Sequence, residues 1–505
     1  MEETINIALS IYKDYQKQNL ANKFVNFLIG WDSQTEAPND CFEARGRQIE
    51  VLSTATYKLN TSPELVKAVQ TLYENRTSLN EITAHEIVVV KKNIDKIIKV
   101  PMEEFVELST LLASSQNIWA KAKVENNFEL FKPTLKRIIE LLKLYLSHLE
   151  TPKLKGYNIL LDEYEPGFTT KEYDEFFDTL KKELVPFVKK VATKALQYNH
   201  SFTNFKYPKD DQKKFAKKIM DTLCFNHNKG LMKESEHPFT TGFGTSDVRF
   251  TVHYHEDNLA SAIFSAIHEL GHATYEMQVD PALDVTLSGG GASLAMHESQ
   301  SRFYENIIGR SPAFWKSLFP KLKEIFPKQF KSINLNDFLK HINEVKCSLI
   351  RTEADELTYP LHIMVRYDIE KALFNNEITV DELPVIWNKL MKEYLGVEVP
   401  NNKEGILQDI HWAGAAFGYF PTYALGSAYA AQIYHSMKKD LNIKEILKSS
   451  STKEINEWLK EKIHCYGAAK YPQEILKLAT KEKFKPQYYV TYLIKKYSKI
   501  YDIKW

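Results

Sequence analysis

The chain has 505 residues, 44% hydrophobic and 26% charged, an ordinary globular composition with ample material for a large buried core. Intrinsic disorder and a small disulfide-stapled scaffold are thereby excluded. Sixty-six Lys and Arg against 65 Asp and Glu leave a formal charge of +1, so no global field favours nucleic acid.

The opening Met1-Glu2-Glu3-Thr4 lacks the basic start, apolar centre and small-residue cleavage site of a secretory signal. Cys41, Cys224, Cys347 and Cys465 are scattered without a CxxC pair, which argues against disulfides and a cysteine metal site. A soluble, cytoplasmic protein is expected. Ile11, Tyr15, Phe24, Phe27 and Leu28 open an amphipathic helical pattern. Leu135, Ile138, Ile139, Leu142, Leu146 and Leu149 repeat it, with Lys136, Arg137, Glu140 and Lys143 between them. No Gly/Ser-rich linker or internal repeat interrupts the chain. It reads as one mainly α-helical domain over residues 1–505, with residues 1–200 a candidate N-terminal lobe and 201–505 carrying the metal chemistry.

The clearest strand is Asp247 to His255, where Asp247, Arg249, Thr251, His253 and His255 alternate with Val248, Phe250, Val252 and Tyr254. At a sheet edge such a strand could hold an extended peptide; an ordinary strand with a polar outer face accounts for the pattern equally well. Next comes His268-Glu269-Leu270-Gly271-His272, the HExxH pattern. Residues four apart share one face of a helix, so two imidazoles can bind one metal with Glu269 beside it as a base. Asp257 or Asn258 can cap this helix, and Ala262, Ile263, Ala266, Ile267 and Leu270 supply its apolar face.

A catalytic zinc takes three protein ligands and keeps one position open. Tyr275 and Gln278 stand where a metzincin would have Gly and His, so that class is excluded. The turn Ser288-Gly289-Gly290-Gly291 precedes a new helical pattern through Leu294, His297, Glu298, Phe303 and Tyr304. Glu298 is the preferred third ligand. Glu276 and Glu305 are alternatives that more often prove to be solvated helix charges, and His297 is expected to pack beside the site rather than close it.

Further along, Arg351 is a candidate anchor for a substrate carboxylate. A helix-surface pair with Asp355, four residues on, is the default reading. His411 and Tyr423 are candidate donors to a developing oxyanion, although buried His and Tyr are more often core residues. The charge-free stretch Ala413–Tyr434 contains Pro421, Gly414, Gly418 and Gly426 and reads as packed interior, not a membrane span. Lysines between Lys438 and Lys504 alternate with acids and aromatics as a solvated helix face would.

These motifs together resemble the carboxypeptidase Taq family of metallocarboxypeptidases over nearly the whole length. The resemblance is carried by His237-Pro238-Phe239, Asp247-Val248-Arg249-Phe250-Thr251, the HExxH at 268–272, His297-Glu298-Ser299-Gln300-Ser301, Ile350-Arg351 with Ala354-Asp355, and Gly405-Ile406-Leu407-Gln408-Asp409-Ile410-His411-Trp412. Gly30-Trp31-Asp32 and Asp162-Glu163-Tyr164-Glu165-Pro166-Gly167 add to it. It implies a gluzincin-type, mainly α fold with a deep active-site groove and a small β-sheet next to the HExxH helix. His268, His272 and Glu298 are then metal ligands, Glu269 the general base, and Arg351, His411 and Tyr423 substrate-binding residues. The metal is expected to be Zn2+, with Co2+ able to substitute, and the enzyme to be a homodimer releasing C-terminal residues with broad specificity. His237, Asp247 and Arg249 are expected to line the groove wall or to support the site from behind, fixing the edge strand near the metal helix. Competing readings are a zinc oligopeptidase cutting internal bonds of short peptides, and a non-catalytic helical scaffold that retains a metal.

Overall fold

The computed structural model describes residues 2–505, and it is helical along most of its length. The periodicity at 135–149 falls within the helix Phe128–Leu149, and all six of its apolar positions are buried. Each such Leu or Ile side chain contributes roughly 1.5–3 kcal/mol when fully removed from water. Buried apolar residues form two clusters. The larger runs from Val100 to Ile503. The smaller joins the helices Glu2–Thr35, Pro63–Glu74 and Glu81–Lys99 through Tyr12, Tyr15, Leu72 and Ile87. Phe24, placed on the apolar face by the spacing, is instead exposed at its edge and packs on Phe243 with ring centres 5.0 Å apart.

A three-stranded sheet supports the HExxH helix. Its strands are β1 (Gly230–Glu234), β2 (Thr240–Gly242) and β3 (Val248–Val252), in the order β1-β3-β2. The strand read from alternation is therefore central: β1 pairs with it in parallel and β2 antiparallel. Both its edges are taken, so it cannot receive a peptide, and its polar second face is not fully exposed, since Thr251 is buried. Val248, Phe250 and Val252 point inward, and the sheet packs on the helix Leu259–Gln278. Gly230 is required here, because a Cβ would lie 2.0 Å from the Val248 carbonyl oxygen.

Asn258 caps the HExxH helix, its Oδ1 accepting from Ser261 N. The Gly-rich turn leads into the helix Leu294–Arg302, capped by Ser293. This continues as a wider π turn, Phe303–Ile308, a feature often found at functional sites. The charge-free stretch supplies most of the helix Phe420–Asp440, which is buried along most of its length against Leu294–Arg302. No helix among the described residues is long and apolar enough to cross a membrane. The four cysteines are free.

Candidate metal centre

One face of the helix Leu259–Gln278 presents His268 and His272, their ring centres 4.9 Å apart. The Nε2 atoms of both rings face Glu298 Oε2, at 3.7 and 3.6 Å. All three ligand atoms lie within 4.8 Å of one another. Two ligand bonds of roughly 2.0–2.1 Å at a tetrahedral angle place their outer atoms about 3.4 Å apart. The separations are thus slightly too long for hydrogen bonds and close to what one shared cation requires. Among the described residues this is the one such group.

The helices meet this closely because residue 271 is glycine. A Cβ there would lie 2.7 Å from both the Gln300 carbonyl oxygen and Ser301 Cα. From the other side, Gly426 lets the helix Phe420–Asp440 settle on Glu298, whose Cβ would be 2.7 Å from a side chain at that position.

The remaining ring nitrogens are held. His268 Nδ1 donates to Glu305 Oε2 at 2.9 Å. His272 Nδ1 meets His297 Nδ1 at 2.5 Å, and His297 Nε2 donates to Glu276 Oε1 at 2.6 Å. The network assigns a proton to each bridge and leaves both Nε2 lone pairs facing Glu298. Glu305 and Glu276 are therefore not solvated helix charges. The π turn brings Glu305 behind His268, where Arg302 and Arg310 also reach it. Burial would raise the Glu305 carboxyl, but Arg302, His268 and Arg310 outweigh it and hold it well below the usual carboxylate range. Burial likewise pushes Glu276 up, and its bond to His297 brings it below its ordinary value. His272 is pulled far down, by burial first and then by His297, His268 and Arg302 beside it, which favours the neutral ring a metal needs. His297 packs beside the site as expected.

Glu269 lies next to the trio and is not part of it. Thr240 Oγ1, on β2, donates to its Oε2 at 2.6 Å and leaves Oε1 open. Burial raises the Glu269 carboxyl despite His268 and the Thr240 hydrogen bond. The edge strand beside the metal helix is thus β2, and Thr240 is a contact that periodicity did not reveal.

Arg351 is not helical. It begins a single turn, Arg351–Glu353, and Asp355 bonds instead to Leu357 N, Thr358 N and Lys346 N. The i,i+4 pairing fails because Asp355 closes the turn that starts the next helix. Arg351 Nε donates to Asp409 Oδ1 at 2.9 Å and Nη1 to the Tyr359 hydroxyl at 3.2 Å, with Tyr423 packed on its guanidinium. His411 Nε2 lies 3.3 Å from the Tyr423 hydroxyl. Burial, and then Arg351, lower the His411 ring to about 4, so it is neutral at ordinary pH. Arg302 joins the two groups: its Nε donates to Glu298 Oε1 at 2.7 Å and its guanidinium lies 4.5 Å from the centre of the Tyr359 ring. The site thus has an acid-and-imidazole end and a guanidinium end. Asp247 and Arg249 pair through two 2.7 Å bonds, and Arg249 lies over Phe27 and Trp31 of the first helix. His237 is exposed, and its carbonyl accepts from Ser235 Oγ.

The carboxypeptidase Taq (M32) metallopeptidase family matches residues 11–497. Carboxypeptidase 1 of Bacillus subtilis is 42% identical over 94% of this chain and 95% of its own length. Thermostable carboxypeptidase 1 of Pyrococcus furiosus is 36% identical over 93% and 94%. The crystal structure of the M32 carboxypeptidase from Deinococcus radiodurans R1 superposes with a TM-score of 0.93 at 28% identity, covering 98% of this chain and all of that one.

Proposed function

The chain belongs to the carboxypeptidase Taq (M32) family of metallopeptidases, and on that premise we propose that His268, His272 and Glu298 hold a catalytic zinc ion. It is a metallocarboxypeptidase that uses a divalent metal, and the oligopeptidase reading is not favoured. The observation supporting the ligand set is the convergence of two imidazole Nε2 atoms on one carboxylate oxygen with both Nδ1 atoms already committed. Co2+ fits the same nitrogen-and-oxygen donors.

When bound, the metal supplies a Lewis acid for the scissile carbonyl and lowers the pKa of water. The chain's own groups do the rest. Glu269 Oε1 takes the proton of the attacking water and returns it to the leaving amine, while Thr240 fixes the other oxygen. Arg351 seats the C-terminal carboxylate of the peptide, and the Tyr423 hydroxyl, oriented by His411, donates toward the developing oxyanion. The aromatic surroundings of Arg351 suit apolar C-terminal residues of several sizes, in line with broad specificity. Residues 1–505 act as one domain, in which the small N-terminal cluster walls the groove. Free cysteines fit a cytoplasmic setting. The helix Phe42–Asn60 buries no side chain, and its exposed Phe42, Ile49 and Tyr57 share one side, an apolar face suited to a homodimer contact.

Mass spectrometry of timed digests tests the activity, with one peptide carrying a free C-terminus and the same peptide amidated. Stepwise loss from the free C-terminus, none from the amide, and arrest by a chelator are expected. Equal rates on both peptides would make this an endopeptidase.

A further inference from the structure

Arg366 directly follows the run Leu361-His362-Ile363-Met364-Val365 in the helix Tyr359–Phe374 and is fully buried. A charge there is tolerated only when it is paired and hydrogen-bonded. Its Nε and Nη2 donate to Asp409 Oδ2 at 2.8 and 2.6 Å, Nη2 also to Gln408 Oε1 at 2.8 Å, and Nη1 to the His362 carbonyl at 2.6 Å. The rings of Trp387 and Phe420 lie 4.5 and 5.4 Å from its guanidinium. The other oxygen of Asp409 belongs to Arg351, whose Nε and Nη2 are both 2.9 Å away. Gln408 Oε1 completes the link by accepting from Arg351 N at 3.0 Å.

One carboxylate is thus divided between two guanidiniums. Asp409 is held well below the usual carboxylate range: burial would raise it, and Arg366 and then Arg351 overcome that. His362 and His411 are kept neutral, by burial first and by the arginines second. Lys123, half-buried, donates to the Gln408 carbonyl at 2.9 Å and lies over the Trp119 ring, without a hydrogen bond to Asp409. With Asp409 alone, Arg351 would be a closed neutral pair, and a substrate carboxylate would have to compete for it. Occupation of Oδ2 by Arg366 leaves one surplus positive charge at Arg351. A peptide carboxylate neutralises that charge. A C-terminal amide leaves it buried and unpaired, and an acidic C-terminal side chain overshoots it.

We propose that Arg366 is a positioning residue that sets substrate specificity: by sharing Asp409 it keeps Arg351 cationic by a single charge and so matches the pocket to a mono-anionic C-terminus. This rests on Arg351 being the carboxylate anchor.

The test compares wild-type holoenzyme with Arg366→Gln, Asp409→Asn and the double variant, measuring KM and kcat on N-blocked peptides ending in Leu or Glu. Arg366→Gln should raise KM for the Leu peptide about tenfold or more, with kcat changed less than about threefold and metal content unchanged. Asp409→Asn should raise the Glu-to-Leu ratio of kcat/KM by about tenfold. The double variant restores one surplus charge and should bring KM back toward the wild-type value. A purely structural role for Arg366 would leave the double variant no better than the worse single variant, and that result overturns the inference, as does an unchanged KM in Arg366→Gln. Should a variant lacking Arg366 fail to fold, the Asp409→Asn preference decides alone, and an unchanged ratio refutes the charge balance. Arg351→Ala is run in parallel. An unchanged KM there sinks the anchor itself, whereas a raised KM with Arg366→Gln inert sinks only the role of Arg366.

Discussion

Replacing Gly271 by Ala sets two effects of opposite sign against each other. Ala is the better helix former by about 1 kcal/mol at an interior position. The added Cβ, however, would sit 2.7 Å from backbone atoms of Gln300 and Ser301, against about 3.4 Å for ordinary contact. Backbone cannot rotate aside like a side chain, so the two helices must part by about 0.7 Å. Overpacking of this kind costs about 1–3 kcal/mol, which cancels or exceeds the propensity gain. The larger consequence is at the metal. The strain falls next to Glu298, and metal–ligand bonds tolerate only about 0.2 Å of displacement. Zinc affinity of Gly271→Ala, measured by competition with a chromogenic chelator, should fall at least tenfold, about 1.4 kcal/mol. Gly30→Ala and Gly46→Ala are the controls. Both positions are helical with nothing within 4 Å, so each should gain about 0.5–1 kcal/mol and leave zinc binding unchanged. Wild-type zinc affinity in Gly271→Ala would show that the close approach of these helices does not set the ligand geometry.

Glu305→Gln and Glu276→Gln should each weaken metal binding by about 10- to 100-fold in the same competition assay, because each removes a carboxylate that fixes a ring nitrogen of the site. Thr240→Val should lower kcat about tenfold with metal content unchanged, since it removes one hydrogen bond to a charged oxygen of Glu269; an unaltered kcat would dismiss Thr240 as a support. Burial, with His297 a lesser cause, holds the His464 ring neutral down to about pH 3 between Gln278 and Gln300. In the unfolded chain a histidine protonates near pH 6.5, so unfolding takes up a proton below that value. Stability is complete above about pH 6.5 and falls with decreasing pH toward 3, by up to about 1.4 kcal/mol per pH unit. His464→Gln should remove one proton from the slope of stability against pH between about 4 and 6, and an identical slope would contradict that assignment.

Local spacing was enough to find the helix with His268 and His272, to narrow its cap to Asp257 or Asn258, and to prefer Glu298 beyond the Gly-rich turn. Each depends on contacts within one or two elements. What escaped it was long-range pairing. Asp409 lies 58 residues from Arg351 and cannot be ranked against Asp355 by distance along the chain. Glu276 and Glu305 look like surface charges when only their own helix is considered; Glu305 is buried and Glu276 half-buried because partners from other elements, His268 and His297, cover them. The centrality of β3 was likewise hidden, because β2 is three residues long and shows no alternation. Arg366 left only a partial trace: a guanidinium next to the run Leu361–Val365 calls for a buried partner, but Asp368 and Glu370 are nearer in the chain than Asp409, 43 residues away.

Metal stoichiometry tests the central claim most directly. Purified wild-type protein, Glu269→Gln and Glu298→Ala are loaded with zinc, desalted and assayed by plasma mass spectrometry. About one zinc per chain is predicted for wild type and for Glu269→Gln, the latter without turnover, and far below one for Glu298→Ala. Full occupancy in Glu298→Ala, or loss of zinc in Glu269→Gln, would contradict the assignment of ligands and base.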